Sequence, residues 1–100
     1  MANLLVVDDE PGFRTLLREI LEEAGHAVTE ARDGAEALAF VEKGSFDLVL
    51  TDRLMPRVDG IELLRRLKSR PSPPPVVVLT AHGSIPEAVE AVRLGSGFVR

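Results

Sequence analysis

The sequence predicts an α/β fold in which a doubly wound parallel sheet carries helices on both faces. Two observations indicate this fold class. Short apolar runs without alternation recur along the chain, and such runs are typical of parallel strands buried on both faces. Between them lie segments with the period of amphipathic helices. Because strands and helices alternate, the crossovers should be right-handed, with helices above and below the sheet.

Three apolar runs predict central strands, and a fourth, more polar run predicts an edge strand. The central runs are residues 4–7, 48–50 and 76–79, and the mixed run is residues 27–31. An edge strand is less covered than a central one and therefore accepts polar side chains. Residues 97–100 indicate the start of a fifth strand.

Four amphipathic segments predict the intervening helices. Their apolar stripes cover residues 13–24, 35–41, 61–67 and 85–92. Asp33, Asp59 and Ser84 each precede a glutamate by three residues, which is the spacing of a capping box. Pro11 suits the first turn of the first helix.

Composition excludes several classes of function. The chain has 100 residues, enough for one domain, and its net charge of −4 argues against a nucleic-acid-binding surface. The absence of cysteine excludes disulfide scaffolds and thiolate metal sites. No run approaches the ~20 apolar residues of a membrane span, and acids interrupt the N-terminal apolar run too early for a signal peptide. We therefore expect a cytoplasmic protein that contacts neither membrane nor nucleic acid directly.

Polar residues follow three of the predicted strands where these strands end. Asp8 and Asp9 follow the first strand, Asp52 the third and Thr80 the fourth. Ligands of open parallel sheets bind beyond the carboxyl ends of the strands, so these side chains should share one rim. The structural alternative is that Asp9 or Glu10 caps the first helix. Capping does not explain Asp52, because no helix start follows it.

Clustered carboxylates repel one another, and their pKa values should rise without compensation. Mg²⁺ is the simplest compensation, because it prefers hard oxygen ligands and often shares its shell with phosphate. A carboxylate beside the metal could be a ligand, or a nucleophile that forms an aspartyl phosphate. The metal would then spread the charge of the transferring group, and a nearby hydroxyl could donate to a phosphoryl oxygen.

These residues resemble the receiver domain of two-component response regulators. The matching motifs are LLVVDDEP at 4–11, DLVLTDRLMPRVDG at 47–60 and VVVLTAHG at 76–83. Residues 80–95 are most similar to receivers of the nitrogen-regulator type, which precede an ATPase module and a DNA-binding module in transcription activators. The resemblance implies a flavodoxin-like fold with five strands in the order 2-1-3-4-5.

The resemblance also implies a metal site. Asp52 corresponds to the phosphoacceptor and Asp9 to the direct Mg²⁺ ligand. Asp8 supports the metal, largely through water, and the backbone carbonyl of Leu54 is the remaining protein ligand.

Three further residues correspond to phosphoryl-binding and switch positions. Thr80 matches the switch hydroxyl, Ala81 follows it at the phosphoryl group, and Phe98 stands where the family has its switch aromatic. The donor in the family is usually a phosphohistidine on a partner kinase. The receiver catalyses only its own phosphorylation and dephosphorylation, and relays the signal to an output domain.

The sequence departs from the family at its C-terminal end. A lysine that bonds the phosphoryl group would follow Arg100, and the last helix would come after it. Residues 1–100 are therefore interpreted as a receiver domain that is incomplete at its C-terminus. Without the last helix, an apolar sheet face beside the first helix should stay open. That face and the fifth-strand edge could then associate with a second copy or another partner.

Three functions from different classes follow from these residues. The first is a phosphorylatable switch with Asp52 as acceptor. The second is a pseudo-receiver that acts as an interaction module; the missing lysine favours it, whereas Asp9, Asp52 and Thr80 oppose it. The third is a phosphatase that uses an aspartyl intermediate, but its general acid would stand at Leu54.

Overall fold

The computed structural model describes residues 2–52, 60–79 and 85–93. Strands and helices alternate throughout these ranges, as predicted. The elements are β1 (Asn3–Val7), α1 (Pro11–Glu23), β2 (Ala27–Ala31), α2 (Gly34–Lys43), β3 (Leu48–Asp52), α3 (Gly60–Lys68), β4 (Val76–Leu79) and α4 (Ile85–Arg93). The predicted fifth strand at 97–100 lies outside the described residues.

The described strands form one parallel sheet in the order β2-β1-β3-β4. This order agrees with the one implied by the resemblance. Val7 at the end of β1 pairs with Ala31 of β2 and with Thr51 of β3. β3 continues through Asp52, two residues beyond its predicted apolar run, because Asp52 still pairs with Leu79 of β4.

Two apolar clusters cover the two faces of the sheet. Successive side chains of a strand point to opposite faces, so Leu4 and Val6 join one cluster while Leu5 and Val7 join the other. The first cluster is completed by α1 and α4, and the second by α2 and α3. Both faces of β1 and β3 are therefore buried, which explains their continuous apolar runs.

The prediction of an open sheet face beside α1 is wrong, because α4 covers that face. Ile85, Val89 and Val92 pack against the cluster that contains Leu17 of α1. The apolar stripe of α4 therefore packs on the same sheet face as α1, which the sequence alone does not specify. Among the described side chains, the large apolar residue that remains exposed is Leu16, at 48%.

Side chains cap the two helix starts that the structure describes in full. The Glu10 carboxylate accepts hydrogen bonds from the backbone N–H groups of Gly12 (2.7 Å) and Phe13 (3.2 Å). Asp33 accepts from the N–H of Glu36 at 2.8 Å. These bonds satisfy donors that a helix cannot satisfy internally. The capping positions Asp59 and Ser84 lie outside the described residues.

Polar contacts tie β1 to the loop before β3 at the amino ends of the strands. The backbone N–H of Asn3 donates to Oδ2 of Asp47 at 2.7 Å, and the N–H of Asp47 donates back to the carbonyl of Asn3 at 2.7 Å. The Asn3 side chain also donates to the carbonyl of Ser45 at 2.5 Å. This clamp fixes where the two central strands start relative to each other.

Removal of the α2 cap should destabilise the fold. In Asp33→Ala, the N–H of Glu36 loses its side-chain acceptor, and we expect the free energy of unfolding to fall by about 1 kcal/mol. Asp33→Asn keeps an acceptor oxygen and should lie much closer to the wild type. Urea denaturation followed by circular dichroism measures both. Equal midpoints for the wild type and the alanine variant would contradict the cap.

Candidate functional site

Three carboxylates meet at the carboxyl ends of the two central strands. Asp8 and Asp9 come directly after β1, and Asp52 is the last residue of β3. Each offers a carboxylate oxygen, and these oxygens lie within 4.8 Å of one another. The register explains the convergence: Val7 pairs with Thr51, so Asp8, which follows Val7, comes to lie beside Asp52, which follows Thr51.

Two of the three carboxylates are buried. Asp8 is 1% exposed and Asp52 is 3% exposed, whereas Asp9 is exposed and opens the cluster to solvent. Oδ1 of Asp8 accepts a hydrogen bond from the backbone N–H of Glu10 at 2.8 Å. Burial of charge is costly unless hydrogen bonds or an opposite charge compensate for it. The cluster is thus open to a cation on one side and enclosed on the other.

The capping alternative accounts for Glu10 only. Glu10 is the N-cap of α1 and binds the first backbone N–H groups of that helix. Asp9 is not the cap residue, and Asp52 belongs to a strand. The carboxylates of Asp9 and Asp52 are therefore placed at the rim for a reason other than helix capping.

Four of the predicted site residues cannot be placed. Thr80, Ala81, Leu54 and Phe98 lie outside the described residues. Their roles at the phosphoryl group, the metal and the switch position stay predictions.

Sequence reasoning missed one positively charged side chain at this rim, that of Arg14. The guanidinium of Arg14 donates from Nη1 to the backbone carbonyl of Asp8 at 2.7 Å and from Nε to Oε1 of Glu30 at 2.7 Å. A signal existed: Arg14 and Arg18 are one helical turn apart, and Glu30 is an acid on the neighbouring edge strand. Only the packing of α1 on β2 shows that these three residues meet.

The donor set fits a hard divalent cation. Carboxylate oxygens are preferred ligands of Mg²⁺, which binds at about 2.1 Å, so two direct ligands are at most ~4.2 Å apart. The oxygens of the cluster all lie within 4.8 Å of one another. This separation allows one ion to be bound by several of these carboxylates, directly or through water.

Comparison with known proteins identifies the family. Residues 4–99 match the profile of the response regulator receiver domain. The chain belongs to this family. It is the receiver domain of two-component response regulators, a signalling domain, and its relatives include transcriptional regulators.

Two curated relatives show how much of a longer protein the receiver spans. The chain is 42% identical over 94 residues to the transcriptional regulatory protein FixJ of Bradyrhizobium diazoefficiens, covering 94% of this chain and 46% of FixJ. It is 43% identical over 94 residues to the transcriptional regulatory protein GlrR of Escherichia coli, covering 94% of this chain and 21% of GlrR. The chain thus spans about half or less of the length of these relatives.

Solved structures share the fold. The receiver domain of the hybrid histidine kinase CckA superposes with a TM-score of 0.80 at 30% identity, covering 94% of this chain and 98% of that domain. TrrA from Thermotoga maritima, solved in complex with Mg²⁺ and BeF, gives a TM-score of 0.76 at 35% identity, covering 92% of this chain and 80% of TrrA.

None of the described helices has the length and apolar character needed to cross a membrane.

Neutralisation of one buried carboxylate should stabilise the receiver without metal. Asp8→Asn keeps an acceptor for the N–H of Glu10 but removes repulsion toward Asp9 and Asp52. In EDTA we expect its free energy of unfolding to rise by about 1 kcal/mol, a usual gain when an unfavourable charge at a functional site is removed. The wild type should gain about 1.4 kcal/mol from Mg²⁺ at ten times its Kd, and the variant much less.

Urea denaturation in EDTA and in MgCl₂ measures both effects. Asp47→Asn is the matched control, because it removes one carboxylate at the opposite end of the sheet and retains an acceptor for Asn3. Its free energy of unfolding in EDTA should not rise, and its stabilisation by Mg²⁺ should match that of the wild type. Lower stability of Asp8→Asn in EDTA together with an unchanged response to Mg²⁺ would contradict the repulsive cluster.

Proposed function

We propose that this receiver takes a phosphoryl group on Asp52 in the presence of Mg²⁺ and acts as a phosphorylation switch. The observation that carries the proposal is the cluster itself: Asp52 is buried at the end of β3, with carboxylate oxygens of Asp8 and Asp9 within 4.8 Å. Carboxylate oxygens in this arrangement fit a hard divalent cation, and a cation there would lie beside the acceptor.

Each carboxylate has a distinct task in this proposal. Asp9, exposed at the open side, and Asp52 would hold the ion directly, and Asp8 would support it from its buried position. When bound, Mg²⁺ neutralises charge on the oxygens of the transferring phosphoryl group. By the family resemblance, the backbone carbonyl of Leu54 would complete the protein ligands.

Phosphoryl transfer requires Asp52 to be ionised. An oxygen of its carboxylate forms a bond to phosphorus while the bond between phosphorus and the donor breaks, and the donor leaves with the electron pair. The in-line geometry needs one free carboxylate oxygen. The hydroxyl of Thr80 and the backbone of Ala81 would then bind phosphoryl oxygens, and Phe98 would respond to the movement of Thr80.

The donor and the output follow from the family. The proposed donor is a phosphohistidine on a sensor histidine kinase in the cytoplasm, and the proposed output is transcriptional. FixJ and GlrR, both named as transcriptional regulatory proteins, support this output, and the complex of TrrA with Mg²⁺ and BeF supports the use of Mg²⁺. We further propose that residues 1–100 serve as the receiver part of a longer regulator.

The alternatives have less support. A pseudo-receiver has no need for Asp8, Asp9 and Asp52 to converge, yet the three carboxylates meet. A phosphatase of this type would need a second acid two residues after Asp52, where the chain has Leu54. We therefore expect self-limited phosphorylation rather than turnover of phosphomonoesters.

Incubation with acetyl phosphate and Mg²⁺ should add one phosphoryl group to the wild type. The group should be absent in Asp52→Asn, which lacks the nucleophilic oxygen, and after chelation by EDTA. Intact-mass spectrometry at neutral pH detects the product. Asp47→Asn, which changes an aspartate away from the rim, should still be phosphorylated. An adduct that persists in Asp52→Asn, or its absence from the wild type, would overturn the proposed acceptor.

A further inference from the structure

We propose that Arg14 is a positioning residue for the metal-binding carboxylates and that it acts through the backbone between Asp8 and Asp9. The inference rests on the proposed function, because it concerns how this chain prepares the same site. Arg14 lies in the second turn of α1, and its guanidinium reaches back over the β1–α1 connection.

Arg14 contacts the peptide group that links Asp8 to Asp9. Nη1 of Arg14 donates to the carbonyl oxygen of Asp8 at 2.7 Å. That carbonyl and the N–H of Asp9 belong to one planar peptide unit, which cannot twist about its C–N bond. A bond that holds the Asp8 carbonyl therefore also restricts the position of the Asp9 Cα, from which the Asp9 side chain extends.

Other bonds hold the connection on either side of this peptide. The N–H of Asp8 donates to the carbonyl of Ala31 at 3.1 Å, and the N–H of Glu10 donates to Oδ1 of Asp8 at 2.8 Å. The backbone N–H of Arg14 donates to the carbonyl of Glu10 at 3.0 Å. Arg14 thus holds the connection twice, with its side chain at Asp8 and with its main chain at Glu10.

Glu30 holds the guanidinium in place. Its Oε1 accepts from Nε of Arg14 at 2.7 Å, and its Oε2 lies 2.6 Å from Nη1 of Arg18. The side chains of Arg14 and Glu30 are only 16% and 17% exposed. A charge-assisted bond with this little exposure restricts Arg14 more than a solvent-exposed ion pair would.

The planar fork of arginine suits the task better than an ammonium. Two nitrogens of one rigid group bind two acceptors on different segments, the carbonyl of Asp8 after β1 and the carboxylate of Glu30 in β2. Lysine would supply the charge from a single flexible point. The mutation Arg14→Lys therefore separates the effect of the positive charge from the effect of the guanidinium geometry.

The test compares Arg14→Met, Arg14→Lys and a matched control, Arg18→Met. Arg14 and Arg18 lie on the same helix and both bind Glu30, but the bond to the Asp8 carbonyl is made by Arg14. We measure the Mg²⁺ Kd by calorimetry, hydrogen exchange of the Asp9 and Glu10 amides in EDTA, and the urea midpoint of each protein.

We expect both Arg14 variants to raise the Mg²⁺ Kd by roughly tenfold, as is usual when a group that supports metal ligands is lost. Both should also speed exchange of the Asp9 and Glu10 amides without metal. Arg18→Met should leave the Kd and these amides near their wild-type values, even where its urea midpoint falls as far as that of Arg14→Met.

Equal Kd values for Arg14→Met and Arg18→Met would overturn the inference and reduce Arg14 to an ordinary contact with the edge strand. Wild-type affinity in Arg14→Lys would show that charge alone suffices, and would likewise overturn it. If the wild type binds no Mg²⁺, the proposed function itself is wrong and the inference falls with it. The wild-type titration thus separates the two failures.

Discussion

The parallel pairing of β1 with β3 is the constraint on which the site depends. Val7 lies opposite Thr51, so Asp8 and Asp9 emerge beside Asp52. Because side chains alternate between faces, a slip of one residue would point Asp52 away from its present partners. Both faces of these strands are buried, and a slip would also exchange the two apolar clusters. The clamp between Asn3 and Asp47 fixes the same register from the other end.

The rim places like charges close together where the packing of the sheet does not require them. Asp8 and Asp52 are nearly buried, and carboxylate oxygens of Asp8, Asp9 and Asp52 lie within 4.8 Å of one another. Such an arrangement is unfavourable unless hydrogen bonds or an opposite charge compensate for it. The surrounding structure holds the arrangement in place: Glu10 supplies the helix cap, and Arg14 binds the carbonyl of Asp8. Functional sites commonly carry such local destabilisation, which ligand binding then offsets.

Most of the sheet could be predicted, because its strands are continuous apolar runs and its acids stand where those runs end. The cap at Asp33 could also be predicted from residue type and spacing, whereas for α1 the sequence left Asp9 and Glu10 as alternatives and the structure shows Glu10. The sheet face that α4 covers could not be predicted. An apolar stripe shows that a helix packs against the core, but not on which face of the sheet it lies. Arg14 was missed for a related reason: its partners are far apart in the sequence, with Asp8 in the connection after β1 and Glu30 in β2.

The most direct test of whether the ends of β1 and β3 build a metal site is to locate the bound metal. Mn²⁺ can replace Mg²⁺ at oxygen-rich sites and broadens the NMR signals of nearby amides. At one equivalent, we predict that the amide signals of residues 8–10 and 52 broaden most and that those of Asn3, Gly44 and Asp47 at the opposite end of the sheet broaden least. Equal or stronger broadening at that opposite end, or an even loss of signal that appears only at large excess, would contradict a metal site built by the ends of β1 and β3.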